Sequence, residues 1–264
     1  MSVAPRGTIA VIGGSGIRGI FGDGPTTTHR LATPWGAPSD AIEEGMIGGL
    51  RVLFLARHGP DHTIPPHRVN YRANVDALRA LGADAILAIN SVGSLSEALP
   101  PGTFVLPSQF VDFTRSRPTT FFEGGRVFHV SLADPFCPDL GAAAVRAGEE
   151  VGVPFASGKT YVCVEGPRFS TRAESSFFRT LADVIGMTLV PEVTLARERA
   201  ICYVCLAMVT DFDVWAERPV AAQEIVAVMR RNAERMGRLL ARLLPETAHA
   251  PTCRCARSLD DAAI

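Results

Sequence analysis

The chain has 264 residues, 47% of them hydrophobic and 20% charged, with a net charge of −1. That length suits one large core or two modest ones, and the composition is ordinary for a soluble globular protein. A charge near zero argues against nucleic acid or an anionic membrane as the main partner.

Read along the chain, short apolar runs alternate with helical patterns. Strands are predicted over residues 8–12, 52–56, 85–89, 104–106, 161–164 and 201–209, and helices over 72–81, 140–151, 173–183 and 222–244. In the last helix Ile225, Met229, Met236, Leu240 and Leu243 form one stripe, with Arg231, Glu234 and Arg238 away from it. Such a stripe is most simply core packing. The alternation predicts an α/β fold, a single domain with a central, largely parallel or mixed sheet flanked by helices. The segment after Pro245, rich in Ala, Thr and Asp, reads as a tail from about residue 246. The N-terminus lacks a basic segment followed by an apolar stretch, and no apolar run approaches membrane-spanning length, so a cytoplasmic protein is expected.

Polar clusters follow several of the strands. Gly13-Gly14-Ser15-Gly16 comes straight after the first. Glycine lets backbone amides approach an anion, and the serine adds a hydroxyl donor. Gly14, Gly16 and Gly19 also fit G-x-G-x-x-G, the dinucleotide fingerprint, and equally a tight turn. Arg57-His58-Gly59 ends the second strand; a guanidinium fork suits phosphate oxygens, and His58 could donate to the same anion. The plainer reading is a solvated loop charge. Nearby His62 and His67 have only Asp61 as an acid, and their spacing fits no common zinc pattern. Asn90-Ser91-Val92-Gly93-Ser94 follows the third strand as an anion loop or a polar turn. Anion donors at three strand ends point to one convergent phosphate site.

Glu165-Gly166-Pro167-Arg168-Phe169-Ser170 contains a turn, and Phe169 could stack on a flat ring or serve as a core aromatic. Asp211 and Asp213 follow the 201–209 run with Thr210 before them and Phe212 between them. Extended alternation would point both carboxylates to one side. Two acceptors at a strand end suit a ligand that offers an amino group and a ring nitrogen needing a proton, such as a 6-aminopurine. A helix cap or turn is the bland alternative.

Six cysteines are present, at positions 137, 163, 202, 205, 253 and 255. Cys253-Arg254-Cys255 is spaced too closely for the usual zinc pair, so no metal is expected; a local disulfide or two thiols fits better.

Taken together, the motifs resemble the 5′-methylthioadenosine phosphorylase family, in the purine nucleoside phosphorylase group. The resemblance runs from about Ile9 to Leu244. It rests on Ile12-Gly13-Gly14-Ser15-Gly16, Ala56-Arg57-His58-Gly59, Val69-Asn70-Tyr71-Arg72-Ala73-Asn74, Asp134-Pro135-Phe136-Cys137-Pro138, Glu165 to Ser170, Met187-Thr188 with Val190-Pro191-Glu192, and Thr210-Asp211-Phe212-Asp213. It implies phosphorolysis, in which phosphate attacks C1′ of the ribose and adenine leaves. By resemblance, Ser15, Arg57, His58, Ser91 and Thr188 bind phosphate, while Asn90 stands where relatives often carry a hydroxyl residue. Met187 lies under the ribose, and Phe169, Ser170, Asp211 and Asp213 hold the base, the two acids being the catalytic candidates. His129 of a neighbouring subunit, with Ala222 and Ile225, closes the pocket for the 5′ group. A homotrimer or homohexamer without metal or organic cofactor is implied, phosphate being a co-substrate. Similarity to family members from heat-adapted sources also implies that Cys137 lies near Cys202 and that Cys253 and Cys255 can pair. The alternatives are a purine nucleoside phosphorylase acting mainly on adenosine or a 6-oxopurine nucleoside, a dinucleotide-dependent oxidoreductase, and a non-catalytic nucleoside-binding protein. The oxidoreductase needs an acid near the end of the second strand, where the chain has Arg57-His58.

Overall fold

The computed structural model describes residues 7–216, 222–249, 251–260 and 262–263; the side chains of Ser15 and of 222–226 are outside that description. Among these residues nine strands form one mixed sheet in the order β2-β3-β4-β1-β5-β8-β7-β6-β9. The strands are β1 (Thr8–Gly13), β2 (Thr27–His29), β3 (Ile42–Ile47), β4 (Leu50–Ala56), β5 (Ala85–Ser94), β6 (Phe104–Phe113), β7 (Phe155–Val164), β8 (Val184–Gly186) and β9 (Cys202–Asp211). Among the described residues, five helices cover it: α1 (Tyr71–Ala80), α2 (Pro138–Glu150), α3 (Arg172–Phe178), α4 (Glu192–Glu198) and α5 (Ala222–Glu246).

β9 also pairs with β5, which closes β5, β8, β7, β6 and β9 into a ring. The first half of β5 runs parallel to β1 on one side and β9 on the other. Its end bulges between Val92 and Gly93 and turns to β8. The strands therefore diverge at the carboxyl ends of β1, β5 and β9, the kind of crevice in which α/β sheets bind ligands.

The period-2 rule explains how one sheet supports two cores. Along β9, Tyr203, Cys205, Ala207 and Val209 join the core that includes Val75 and Leu78 of α1 and Val193 of α4. Cys202, Val204, Leu206 and Met208 face the core with Leu140 of α2 and Met236, Leu240 and Leu243 of α5. Helix starts are written locally. Asn70 accepts from the Ala73 amide to cap α1, and Thr171 with Glu174 forms a capping box on α3.

Several sequence expectations change here. The 90–94 segment is not a loop after the third strand; it continues β5 beside β9. β2, β3, β8 and α4 are too short or too polar to show a period. The helix expected to reach 183 stops at Phe178, because Val184 must begin β8. The segment expected as a tail folds back: Cys255 and Ala262 are buried, and Phe128 bridges Ala263.

Candidate active site

A cavity of about 830 Å³ opens where the strands diverge. Gly14 and Gly16 reach it from the turn after β1, and Arg57 and His58 from the end of β4. Ser91 and Gly93 reach it from β5, Met187 and Thr188 from the link between β8 and α4, and Asp211 and Asp213 from the end of β9. Phe169 and Ser170 complete the same wall, Phe169 being 64% exposed rather than a core aromatic. Ser15 lies in the 3-10 turn Ser15–Ile17 between the two lining glycines, with its side chain outside the described residues.

Arg57 is 2% exposed and is held on three sides. Its Nε and Nη2 donate to the two Glu192 carboxylate oxygens at 2.7 and 2.8 Å, and Nη1 donates to the Ile89 carbonyl at 2.9 Å. Three of about five N–H donors are thus engaged, leaving two for a ligand. The forked contact expected for phosphate is spent on Glu192, which also accepts from the Tyr203 hydroxyl at 2.9 Å. Burial alone would lower the Arg57 pKa, but the Glu192 charge and hydrogen bonds hold it above the ordinary value. Arg57 is a fixed positive charge in the cavity wall.

His58 donates from Nδ1 to the Ile64 carbonyl at 2.8 Å, since a carbonyl only accepts. Burial, then the Arg57 charge, pushes its pKa down to about 4. The expectation of a donating His58 changes accordingly. The neutral ring offers Nε2 as an acceptor, suited to the P–O–H of a protonated phosphate. Asn90 donates to Thr188 Oγ1 at 2.6 Å, orienting a hydroxyl that lines the cavity.

The two aspartates share the cavity, but not through strand alternation. Phe212 leaves the extended conformation, and Asp213 adopts a positive φ of 50°, a region that Asp tolerates better than most residues. The turn is closed by the Asp213 amide donating to Asp211 Oδ1 at 2.8 Å. Thr210 Oγ1 lies 2.7 Å from Asp211 Oδ2, and Ser175 donates to Asp213 Oδ2 at 2.5 Å. Burial raises the Asp213 pKa. Gly93 lies against the pair: a Cβ there would lie 3.0 Å from Asp211 Oδ1 and 3.3 Å from Asp213 Cβ.

The remaining expected residues divide. Met229 of the apolar α5 stripe is 41% exposed and lines the cavity with Ala233 and Glu234, so that end of the stripe is not core. Ala222 and Ile225 fall on the first turn of α5, with side chains outside the described residues. His129 lies outside this cavity in its own chain; it lines a second one of about 880 Å³. Glu192 and Gly93 stood in sequence motifs without a role of their own, and Ser175 stood in none. The signal for Glu192 was a lone acid beside the apolar Leu189 and Val190, which implies a buried partner.

The Phosphorylase superfamily model matches residues 8–245. A Pyrococcus furiosus protein named S-methyl-5′-thioadenosine phosphorylase is 52% identical over 248 residues, covering 94% of this chain and 96% of its own length. A methylthioadenosine phosphorylase structure from an Antarctic soil metagenomic library superposes with a TM-score of 0.91 at 39% identity, covering 100% of this chain and 93% of the other. The Schistosoma mansoni methylthioadenosine phosphorylase in complex with adenine superposes with a TM-score of 0.86 at 36% identity, covering 90% of this chain and 91% of the other.

Proposed function

The chain belongs to the phosphorylase superfamily, and from that premise we propose that it is a pentosyltransferase that cleaves 5′-methylthioadenosine with phosphate. The products are adenine and 5-methylthioribose 1-phosphate. One observation carries this reading beyond the family: a buried cation and hydroxyl donors share a single cavity with two carboxylates. Phosphate and a 6-aminopurine need those opposite wall chemistries side by side.

In the reaction the C1′–N9 bond breaks as a phosphate oxygen bonds to C1′. Positive charge grows on the ribose, and the adjacent phosphate stabilises it. Arg57, locked by Glu192, and Thr188, oriented by Asn90, fix that phosphate. Ser91, the Gly14–Gly16 turn and Ser15 add donors, and His58 Nε2 accepts a hydrogen bond from the phosphate P–O–H. Met187 lies under the ribose, and Phe169 and Ser170 hold the base. Adenine leaves well only when N7 is protonated or strongly hydrogen-bonded, and the Asp pair supplies that contact. In this scheme Asp211 faces N7 and Asp213 faces the amino group. Burial raises the Asp213 pKa, which suits that carboxyl to carry a proton. No metal or organic cofactor enters the scheme.

We further infer that residues 1–264 act as one phosphorylase domain in the cytoplasm, as a homotrimer or homohexamer. His129 of a neighbouring subunit, with Ala222 and Ile225, closes the 5′ end of the site. No helix among the described residues is long and apolar enough to cross a membrane.

The deciding experiment incubates the protein with methylthioadenosine, with and without phosphate, and follows free adenine. Phosphate-dependent release is expected. Equal release without phosphate would mean hydrolysis and overturn the reading.

A further inference from the structure

We propose that Cys137, Cys202, Cys253 and Cys255 form a structural zinc site that staples the C-terminal segment to the body of the fold. This site is separate from the nucleoside cavity of its own chain.

The four sulfurs lie within 4.8 Å of one another. Cys253 Sγ is 3.6 Å from Cys137 Sγ and 3.5 Å from Cys202 Sγ. Four thiolates around one zinc, each bonded at about 2.3 Å, stand about 3.8 Å apart at tetrahedral angles. Disulfide sulfurs stand about 2.05 Å apart. All six cysteines are among the described residues, and none is in a disulfide. Cys137 lies near Cys202, as the family resemblance implies, but the same cluster also takes in Cys253 and Cys255. Cys253 sits against both Cys137 and Cys202, so the sulfurs make one cluster rather than two separate pairs.

Cys253-Arg254-Cys255 on its own is spaced too closely for the usual zinc pair. The fold supplies the other half of the ligand set from far away in sequence. Cys137 is the N-cap residue of α2, and its amide donates to the Tyr203 carbonyl at 2.8 Å, beside Cys202 at the start of β9. The C-terminal segment is delivered by Asp139, which accepts from the Thr252 amide, the Thr252 hydroxyl at 2.8 Å and the Cys253 amide at 3.0 Å. Cys255 then opens a short 3-10 turn and is buried.

The chemistry balances without an oxidant. Four thiols release four protons to solvent as four Zn–S bonds form, leaving a centre of net charge −2. Arg197 and Arg254 line the cavity that Cys137, Cys253 and Cys255 also line, and the α2 N-terminus adds a positive dipole end. Closed four-sulfur coordination marks a structural rather than a catalytic metal.

The test is metal analysis of the full-length protein, purified under reductant and after dialysis against zinc. We expect about one zinc ion per chain, released by a thiol-blocking mercurial, and less than a tenth of that in Cys253→Ser and Cys255→Ser. We expect these variants and the chelator-stripped wild type to have a lower Tm, with the proposed phosphorolysis retained at moderate temperature. Cobalt loading should give the visible absorption of tetrahedral thiolate coordination. Four alkylatable thiols with no zinc uptake would overturn the proposal. So would two disulfides by mass without metal, zinc kept by both variants, or iron in place of zinc.

Discussion

Arg57 and Glu192 face each other across 135 positions of sequence through two parallel hydrogen bonds of 2.7 and 2.8 Å, both side chains being almost wholly buried. The pair fixes a cation in the wall of the nucleoside cavity, and breaking it from either side strands a buried charge. Glu192→Ala is expected to destabilise the protein by about 3–5 kcal/mol. Arg57→Ala should cost a similar amount and also raise the KM for phosphate far more than that for the nucleoside. Denaturant unfolding and separate KM measurements check this. An Arg57→Ala variant with unchanged phosphate dependence would remove Arg57 from the site.

Base choice follows from the aspartates. Ionised carboxylates accept hydrogen bonds, whereas the 6-oxo group of hypoxanthine also only accepts. Methylthioadenosine should be preferred over methylthioinosine by roughly 1–3 kcal/mol in transition-state binding. Asp211→Asn or Asp213→Asn adds an amide donor and should move the ratio toward the inosine compound. The position with the larger fall in kcat is the one that serves N7. If neither variant shifts the ratio, the pair does not read the base.

His58 gives a pH signature. Its folded pKa of about 4 lies below the ordinary value of 6.5, so folding favours the neutral ring. Above pH 6.5 neither state is protonated and the native state is unaffected. As pH falls from 6.5 toward 4, the unfolded chain takes up a proton that the native ring refuses, and about 3 kcal/mol of stability is lost. A His58→Asn variant should lose less over that range. Urea midpoints of the two proteins at pH 7 and pH 5 give the comparison, and parallel falls would contradict the assignment.

Gly93→Ala tests the packing beneath the acids. The added methyl would meet Asp211 Oδ1 at 3.0 Å and Ile185 Cγ2 at 3.2 Å. Overpacking of this kind costs about 1–3 kcal/mol when neighbours must move. Here the movable neighbour is a catalytic candidate, so kcat/KM for methylthioadenosine should fall at least as much as stability does. A variant of full activity would show that Asp211 shifts without consequence.

Much of the architecture was legible from period alone. The apolar runs ending at Ala56 and Val209 and the stripe through Met236, Leu240 and Leu243 were readable because buried elements repeat at two or at 3.6 residues. The anion and base segments were readable because each couples a strand end to a chemically distinctive residue. β2, β8 and α4 were not, since three to seven residues carry too little pattern against a turn.

The sequence by itself determined the longer elements, the family and many of the residues that line the cavity, because those depend on residue chemistry and short-range spacing. Only the tertiary structure decided what each group is bonded to. It gave the fork of Arg57 to Glu192, left His58 Nε2 as an acceptor, and set the Asp pair by a positive-φ turn rather than by alternation. It also gathered Cys137 and Cys202 around a C-terminal segment that reads as a tail. The physical reason is the same in each case. A buried polar or ionic group must find its partner wherever the chain returns, and that return is fixed by sheet closure and core packing, which local sequence does not encode.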